Sequence, residues 1–475
     1  MKNETVEAER TGTLQVTGSQ SWMVLIAIGV GTFMSALDGS VVNTILPVMR
    51  DYFASDVATI EWVVVVYLLV ISGLLLSFGR LGDLHGHKPV YLTGFGIFTL
   101  SSALCGLAPS AGMLVLFRAF QALGAAMLMS NAPAILTMSF PPSQRGRALG
   151  LQATMTYLGL TVGPSLGGFL AHAFSWRAVF YINLPVGLVA FLLSQRFIPA
   201  AGKPGGSRAA ERFDVAGALV FIAGLSALLL GLNQGHSWGW SSPIILGLLA
   251  GAAVLLAAFI WIEKRNPAPM LDLSLFRRRI FTASVASALL NYVAIYCITF
   301  LMPFYLIQGR GLDPSQAGLL LTAQPLVMAV AAPISGTLSD RIGSRLPATL
   351  GMLILAGGLL MLSRLGPDSP TTAIVLALAI AGLGTGIFVS PNNSALMGSA
   401  PRNRQGIAAG MLATARNMGM VLGVGMAGAL LTTLLAAPGG GLYAGVSAGF
   451  VAAAVAALLS SLAAAVRGGE GQLLA

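Results

Sequence analysis

The feature that most restricts how this chain can fold is the repetition of long apolar segments. Stretches of about 20 residues with hardly any charge recur between Trp22 and Val466, and about 20 helical residues span a hydrocarbon core of roughly 30 Å. Only 9% of the residues are charged, against about 25% in a typical soluble domain. We therefore predict an all-helical protein that crosses a membrane many times, because a helix satisfies its own backbone groups in lipid.

Polar and Gly/Pro-rich breaks divide the chain into fourteen predicted spans. We expect two six-helix halves that are separated by a helix pair. The predicted segments are a cytosolic N-terminal tail (1–21), an N-terminal six-helix half (22–198), a linker with two extra transmembrane helices (199–279), a C-terminal six-helix half (280–466) and a cytosolic C-terminal tail (467–475).

Basic residues are distributed unevenly between the two sides of the predicted membrane. Of the 26 Lys and Arg residues, 20 fall on the side of the two termini, 4 fall on the opposite side, and Arg118 and Arg416 lie inside spans. The positive-inside rule then places both termini in the cytoplasm, and we expect the protein in a bacterial cytoplasmic membrane. The net charge of +10 is accordingly a topology signal, and we expect no nucleic-acid partner.

No group of side chains in the sequence suggests catalysis or metal binding. Cys105 and Cys297 lie far apart inside predicted helices, and the four histidines show no metal-ligand spacing. We therefore expect no enzymatic activity, no metal and no cofactor.

Asp38 lies deep within the first predicted span, in GTFMSALDGSVVNTILPVMR (31–50). An ionised Asp at the centre of a spanning helix costs roughly 2.5 to 3.5 kcal/mol, so such a group is expected to face a wet cavity or a partner and to be functional. Asp38 is our candidate proton carrier, and Arg118 in the fourth span is its candidate partner, directly or through water. Burial favours the neutral acid and a nearby arginine favours the ionised acid, so both protonation states remain open.

A second acid, Glu61, opens the second predicted span. An acid in the first turn of a helix is favoured by the helix dipole. The alternative interpretation is a second proton site near the outer mouth.

A ten-residue pattern occurs twice in the chain. GRLGDLHGHK (79–88) and GTLSDRIGSR (336–345) both fit G-x-L-x-D-x-x-G-x-[KR] and follow the second and tenth predicted spans. Repetition of this kind indicates an internal duplication, which is typical of carriers whose pathway lies between two related halves. The alternative is that both loops only orient their helices. The shared positions are Gly79, Asp83, Gly86 and Lys88 in the first copy and Gly336, Asp340, Gly343 and Arg345 in the second.

In this pattern the chain resembles the major facilitator superfamily, over essentially its whole length. The resemblance implies a fold of fourteen helices arranged 6 + 2 + 6 and a role for the repeated motif as a cytoplasmic gate. Arg118, Gln121 and Gly124 on the fourth span follow the order R-x-x-Q-x-x-G, which resembles the proton-coupling motif of the family.

Three further segments resemble those of drug:proton antiporters in this superfamily. The fifth span, GLQATMTYLGLTVGPSLGGFL, contains G-x-x-x-G-P-x-x-G-G, which resembles the antiporter motif of exporters. The segments SWRAVFYINLPVG (175–187) and GLNQGHSWGW (231–240) are similar to those of the fourteen-helix antiporters. The residues of the antiporter motif are Gly159, Gly163, Pro164, Gly167 and Gly168.

We expect a mostly apolar substrate cavity between the halves. Met, aromatic and amide side chains suit varied lipophilic solutes, because they repack and make cation–π contacts or weak hydrogen bonds. The candidate cavity residues are Asn43, Gln121, Met127, Asn131, Gln152, Tyr157, Asn291, Tyr292, Tyr296, Phe300, Gln324 and Asn392.

The expected function is export of lipophilic drugs, with cationic compounds among the candidates, by a monomer that uses the proton gradient as its energy source. Its expected partners are the small-molecule substrate, protons and the lipid bilayer. One alternative is an exporter of a single metabolite or antibiotic. An alternative from another class is a membrane sensor or channel.

Overall fold

The computed structural model is helical in the part of the chain that it describes, which comprises 18–141, 145–199, 215–239, 241–265, 273–400, 405–437 and 440–467. The N-terminal half contains α1 (Gly18–Thr44), α2 (Leu46–Tyr52), α3 (Val57–Ile60), α4 (Trp62–His85), α5 (His87–Gly106), α6 (Ala111–Ser139), α7 (Arg145–Ala173), α8 (Ala178–Tyr181) and α9 (Asn183–Phe197). A helix pair follows, α10 (Val215–Trp238) and α11 (Pro243–Arg265).

The C-terminal half follows a short 3-10 helix at Leu273–Arg277 and contains one π-helical turn at Phe304–Gly309. Its helices are α12 (Arg279–Pro303), α13 (Pro314–Leu321), α14 (Ala323–Ile342), α15 (Arg345–Leu362), α16 (Thr371–Ser399), α17 (Gln405–Ala436) and α18 (Leu442–Ala465). The expected tails and the central linker fall partly on 1–17, 200–214, 266–272 and 468–475, which lie outside the described residues.

Twelve helical segments within the described residues are long and apolar enough to cross a membrane. The other two predicted spans coincide with α7 and α10, which are helical but are not among these twelve. The described apolar residues of α10 are Ala216–Leu232, and the whole helix has 24 residues. The described residues therefore form the helical structure of a polytopic membrane protein, with twelve candidate spans among them.

The two halves repeat the same local geometry at positions 257 residues apart. Gly86 ends α4 with φ +93°, and Gly343 ends α14 with φ +84°, a backbone conformation that glycine adopts without steric cost. Likewise, Gly94 of α5 packs directly on the backbone of α6, and Gly351 of α15 packs directly on the backbone of α16. The matching contacts support an internal duplication.

The halves meet at one end of the bundle. We call this end, where α1 ends and α4 begins, the far side, and the opposite end, where α1 begins and α18 ends, the terminus side. A Cβ at Gly168 of α7 would clash with the carbonyl of Pro314 in α13, and a Cβ at Gly318 of α13 would clash with the carbonyl of Pro164 in α7. Glycine at both positions therefore allows the two backbones to touch.

Two hydrogen bonds between the halves lie in the same region. The hydroxyls of Ser165 and Thr322 are 2.6 Å apart, and Arg50 Nη1 donates to Gln308 Oε1 at 2.9 Å. We call these bonds and the reciprocal α7–α13 contact the far-side seam. The seam closes the space between the halves at the far side.

Candidate functional site

A buried ion pair joins α1 to α6. Arg118 Nη1 donates to Asp38 Oδ2 at 2.6 Å, and the two side chains are 1% and 0% exposed. Gln121 Nε2 and Asn183 Nδ2 donate to the other oxygen, Oδ1, at 3.0 and 2.7 Å. Three hydrogen bonds and one opposite charge compensate the loss of solvent around an ionised carboxylate. The pairing that the sequence suggested for Asp38 and Arg118 is therefore direct in this structure.

Arg118 also contacts residues of α4, α6 and α8, the last through the Phe180 ring, whose centre lies 5.9 Å from the Arg118 Cζ. Its Nε donates to the carbonyl of Val63 at 3.1 Å, and its Nη1 also donates to Gln121 Oε1 at 2.6 Å. Its Cζ lies 4.0 Å from the centre of the Tyr67 ring, within the range of a cation–π interaction. We call Asp38, Arg118, Gln121 and Asn183 the ionic cluster, and it connects α1, α4, α6 and α9.

Asn183 is the member of the ionic cluster that sequence reasoning missed. It lies at the start of α9 and is 1% exposed. Its Nδ2 also approaches Ser102 Oγ at 3.4 Å, so α5 contributes to the same polar site. The available signal was an amide in the apolar segment FYINLPVG, which the resemblance to drug:proton antiporters had already singled out.

A cavity of about 480 Å³ lies between the two halves, beside the ionic cluster. Its volume is within the range of small-molecule sites. Arg118 forms part of the cavity wall, whereas Asp38 does not, because the carboxylate points towards α6 and α9. In this conformation Asp38 therefore faces its partner Arg118, one of the two alternatives expected for it, and Arg118 is the member of the pair that lines the cavity.

Five of the predicted cavity residues lie in the cavity wall, and they come from both halves. These residues are Asn43, Gln152, Tyr292, Tyr296 and Gln324. The wall also contains Met129, Met328 and Met420 among many apolar side chains. The cavity accordingly has the mixture of methionine, aromatic and amide groups that the sequence suggested.

Six other predicted cavity residues lie outside the wall: Gln121, Met127, Asn131, Asn291, Phe300 and Asn392. Gln121 belongs to the ionic cluster, Asn131 Oδ1 lies 2.7 Å from His87 Nδ1, and Asn392 Nδ2 donates to the Ser284 carbonyl at 3.2 Å. These polar groups bind neighbouring helices within one half. A spanning helix that is apolar on all sides gives no periodic signal of which face is in contact with water. The spacing of residues in the sequence therefore could not distinguish the residues that line the cavity from those that bind neighbouring helices.

The repeated motif has the same placement in each half. Gly79 faces Ser130, and Gly336 faces Ser390, with a hypothetical Cβ at 3.8 and 3.4 Å from the serine Cβ. Arg345, the last residue of the second copy, begins α15. The side chains of Asp83 and Asp340, and that of the predicted cavity residue Tyr157, lie outside the part of the chain that the structure describes.

Lys88 binds the end of a helix in its own half. Its Nζ donates to the carbonyls of Gln195 and Ile198 at 2.9 and 2.5 Å, at the C-terminal end of α9. The last carbonyls of a helix have no partner inside the helix, and the dipole favours a cation there. In this structure Lys88 therefore fastens α9 to α5, and these two hydrogen bonds do not connect the halves.

Replacing Lys88 with methionine should lower the thermal unfolding midpoint of the purified protein. Two carbonyls at the end of α9 lose a charged donor, and a hydrogen bond to a charged group contributes about 1.5 to 3 kcal/mol, less where solvent reaches it. Lys88→Arg should restore most of the stability. Arg341→Met, at an exposed basic residue in the last turn of α14, is the matched control. Equal losses for Lys88→Met and Arg341→Met would contradict the assignment.

The glycines of the antiporter motif contact two different helices. A Cβ at Gly159, Gly163 or Gly167 would come within about 3 Å of α1 atoms, closer than ordinary van der Waals contact. Gly168 and the carbonyl of Pro164 instead face α13 across the far-side seam. The motif thus packs α7 on α1 within one half and on α13 of the other half.

Glu61 lies on the far side between α3 and α4 and is only 3% exposed. It occupies the N-cap position of α4, but its side chain does not cap the helix. A Cβ at Gly428 of α17 would clash with Glu61 Oε2, so the carboxylate lies against a helix of the other half. Both earlier interpretations, a helix-dipole contact and a second proton site, remain compatible with this position.

The sequence of this chain matches a known protein family. The family model described as Major Facilitator Superfamily matches residues 28–424 and 284–470. The chain is 36% identical over 404 residues to the riboflavin transporter RibZ of Clostridioides difficile, covering 85% of this chain and 87% of that protein. It is 35% identical over 417 residues to the multidrug resistance protein Stp of Mycobacterium tuberculosis, covering 87% of this chain and 76% of that protein.

The fold is also that of a solved transporter structure. That solved structure is of a bacterial homolog to the human lysosomal transporter Spinster, in an inward-facing and unoccupied conformation. It superimposes on this chain with a TM-score of 0.69 at 17% sequence identity. The alignment covers 95% of this chain and 98% of that chain. With the family match over most of its length, this chain belongs to the major facilitator superfamily.

Proposed function

We propose that the protein is a fourteen-span drug:proton antiporter that exports lipophilic compounds across a bacterial cytoplasmic membrane, and that it works as a monomer. The observation that carries the proposal is the ionic cluster at the edge of a cavity between two related halves. Intramembrane acids and bases of this kind mark proton pathways in carriers. The relatives include a multidrug resistance protein and a riboflavin transporter, which supports transport of small molecules.

In this proposal the proton and the substrate bind at different places. Asp38 lies outside the cavity wall, so substrate and proton do not compete for one carboxylate. Protonation of Asp38 removes the charge that holds Arg118 at 2.6 Å, and α1 and α6 can then separate. Because α1 also packs on α7 through Gly159 and Gly163, a shift of α1 would be passed to the far-side seam.

The direction of transport follows from the charge distribution and the antiporter motif. With both termini in the cytoplasm, the far-side seam closes the outer face. The cavity lies between this seam and the terminus side, since its wall includes Pro133, Asn393 and Leu412 in the terminus-side parts of α6, α16 and α17. An exporter takes up its substrate from the cytoplasm, so this conformation suits substrate entry.

The test is efflux of a panel of chemically unrelated dyes from cells that express the protein. We expect efflux in energised cells and its loss when a protonophore collapses the proton gradient, while the cellular ATP concentration is held constant. The Asp38→Asn variant, at equal expression, is the control for host transporters. Efflux that persists at full rate with the protonophore would contradict proton coupling.

A narrow exporter of one metabolite is the second candidate. It is favoured by the identity of 36% to a protein described as a riboflavin transporter. The same dye panel separates the two, because a dedicated carrier should leave most dyes inside the cell whereas a multidrug exporter should remove several of them.

A further inference from the structure

The cavity wall carries positive charge and no carboxylate in the described part of the chain. Its two ionised residues are Arg118 and Arg416. Asp38 compensates Arg118 through the 2.6 Å ion pair. Arg416, on α17 in the opposite wall, has no carboxylate within ion-pair distance among the described residues. The cavity therefore contains one cation whose charge the described side chains leave uncompensated.

Two hydrogen-bond donors at this position lack an acceptor among the described residues. Arg416 Nε and Asn417 Nδ2 are buried donors for which the described residues supply no acceptor, and Asn417 is only 2% exposed. Both residues line the cavity. Leaving such donors buried without acceptors costs free energy, which a bound anionic oxygen would recover.

Aromatic side chains flank the same position. The Cζ of Arg416 lies 5.9 Å from the centre of the Tyr292 ring, and Tyr292 and Tyr296 line the cavity one helical turn apart on α12. A planar ring system could stack on these tyrosines while its substituent reaches the guanidinium. Arginine binds carboxylates through two parallel N–H donors, which gives this pair both strength and orientation.

We propose that this cavity selects aromatic substrates that carry an anionic oxygen group, above all a carboxylate, and that Arg416 binds that group with help from Asn417. This inference rests on the proposed function, in which the cavity is the substrate site. An aromatic cation would instead meet Arg416 without any carboxylate in the described wall to balance it. The substrate class is therefore acidic aromatic compounds, and cationic drugs are disfavoured.

The test uses three probes with one ring system and different charges: anthracene-9-carboxylate, the neutral anthracene-9-carboxamide and the cationic anthracene-9-methylammonium. Equilibrium binding to the full-length protein in nanodiscs is measured by fluorescence anisotropy, without a pH gradient and with empty nanodiscs as the blank. We expect the carboxylate to bind about ten- to hundredfold more tightly than the carboxamide, the range given by charge-assisted hydrogen bonds.

Arg416→Gln should remove this preference by weakening only the carboxylate, and Arg416→Lys should keep part of it. Retained carboxamide binding shows that the Gln variant is folded, and Arg364→Gln, at an exposed arginine on the far side, should behave as the wild type. Equal or tighter binding of the carboxamide or the ammonium probe by the wild type, absence of carboxylate binding, or equal weakening of all probes by Arg416→Gln would overturn the inference.

These measurements are independent of proton coupling. A protein that prefers the carboxylate at equilibrium but ignores a proton gradient would refute the antiporter proposal and leave this inference standing. Gradient-driven efflux of dyes without any preference for the carboxylate would support the antiporter proposal and refute this inference.

Discussion

Asp38→Asn should abolish proton-driven exchange in proteoliposomes with an imposed pH gradient, reducing it to the level of liposomes without protein. Asparagine has nearly the same size and can still accept hydrogen bonds from Gln121 and Asn183, but it cannot take up or release a proton at neutral pH. Substrate binding at equilibrium should persist, because Asp38 does not line the cavity. The measurement pairs exchange under a gradient with binding in its absence.

The variant is expected to remain folded. Unpairing a buried arginine costs about 3 to 5 kcal/mol, and the contacts of Arg118 with Val63, Gln121 and Tyr67 offset part of that loss. A thermal unfolding curve checks this point. Asp368→Asn, at an exposed carboxylate on the far side, is the matched control and should exchange like the wild type. Normal exchange by Asp38→Asn would remove Asp38 from the mechanism.

Gly168→Ala should stop transport by preventing the far-side seam from closing. The new methyl group would clash with the carbonyl oxygen of Pro314, which is part of the backbone and cannot rotate away as a flexible side chain could. α7 and α13 must then separate, and a carrier that alternates between two faces needs this seam closed in one of its states. We expect exchange near background, together with a wider separation of the halves at the far side.

The separation can be measured as the distance between spin labels on Gly112→Cys and Thr371→Cys, two exposed positions at the far-side ends of α6 and α16. The native cysteines are buried and should not compete for the label. Gly96→Ala on α5 is the control, because a Cβ there meets no atom within 4 Å. Unchanged distances together with normal exchange would show that the seam tolerates the methyl group.

The two variants separate proton binding from gating. On α1, Asp38 lies two residues before Ser40, and Ser40 contacts Gly163 of α7. Asp38→Asn removes the same charge as protonation does, so we expect it to shift the label distance towards an open far side through the α1–α7 packing, whereas Gly168→Ala should open the seam with the ionic cluster intact. An unchanged label distance in Asp38→Asn would show that the ionic cluster does not act on the far-side seam.

Sequence patterns were sufficient for the all-helical membrane fold because they reflect constraints that act along the chain. Apolar segments of membrane-spanning length predicted helices in lipid, and the repeated motif predicted duplicated halves, which the matching geometry of Gly86 and Gly343 supports. Asp38 and Arg118 stood out because ionised groups are rare inside spans. Their pairing could be anticipated since one acid and one base had few other partners in the same half.

Only the tertiary structure decided which face each side chain takes. It placed Asn183 on the carboxylate of Asp38, turned Asp38 away from the cavity and put Arg416 in its wall. The sequence alone determined the helical membrane fold and its intramembrane acid and base. It could not determine the wall of the cavity, because helices that are apolar on every side carry no amphipathic signal, and only packing against neighbours selects the face that lines the pathway.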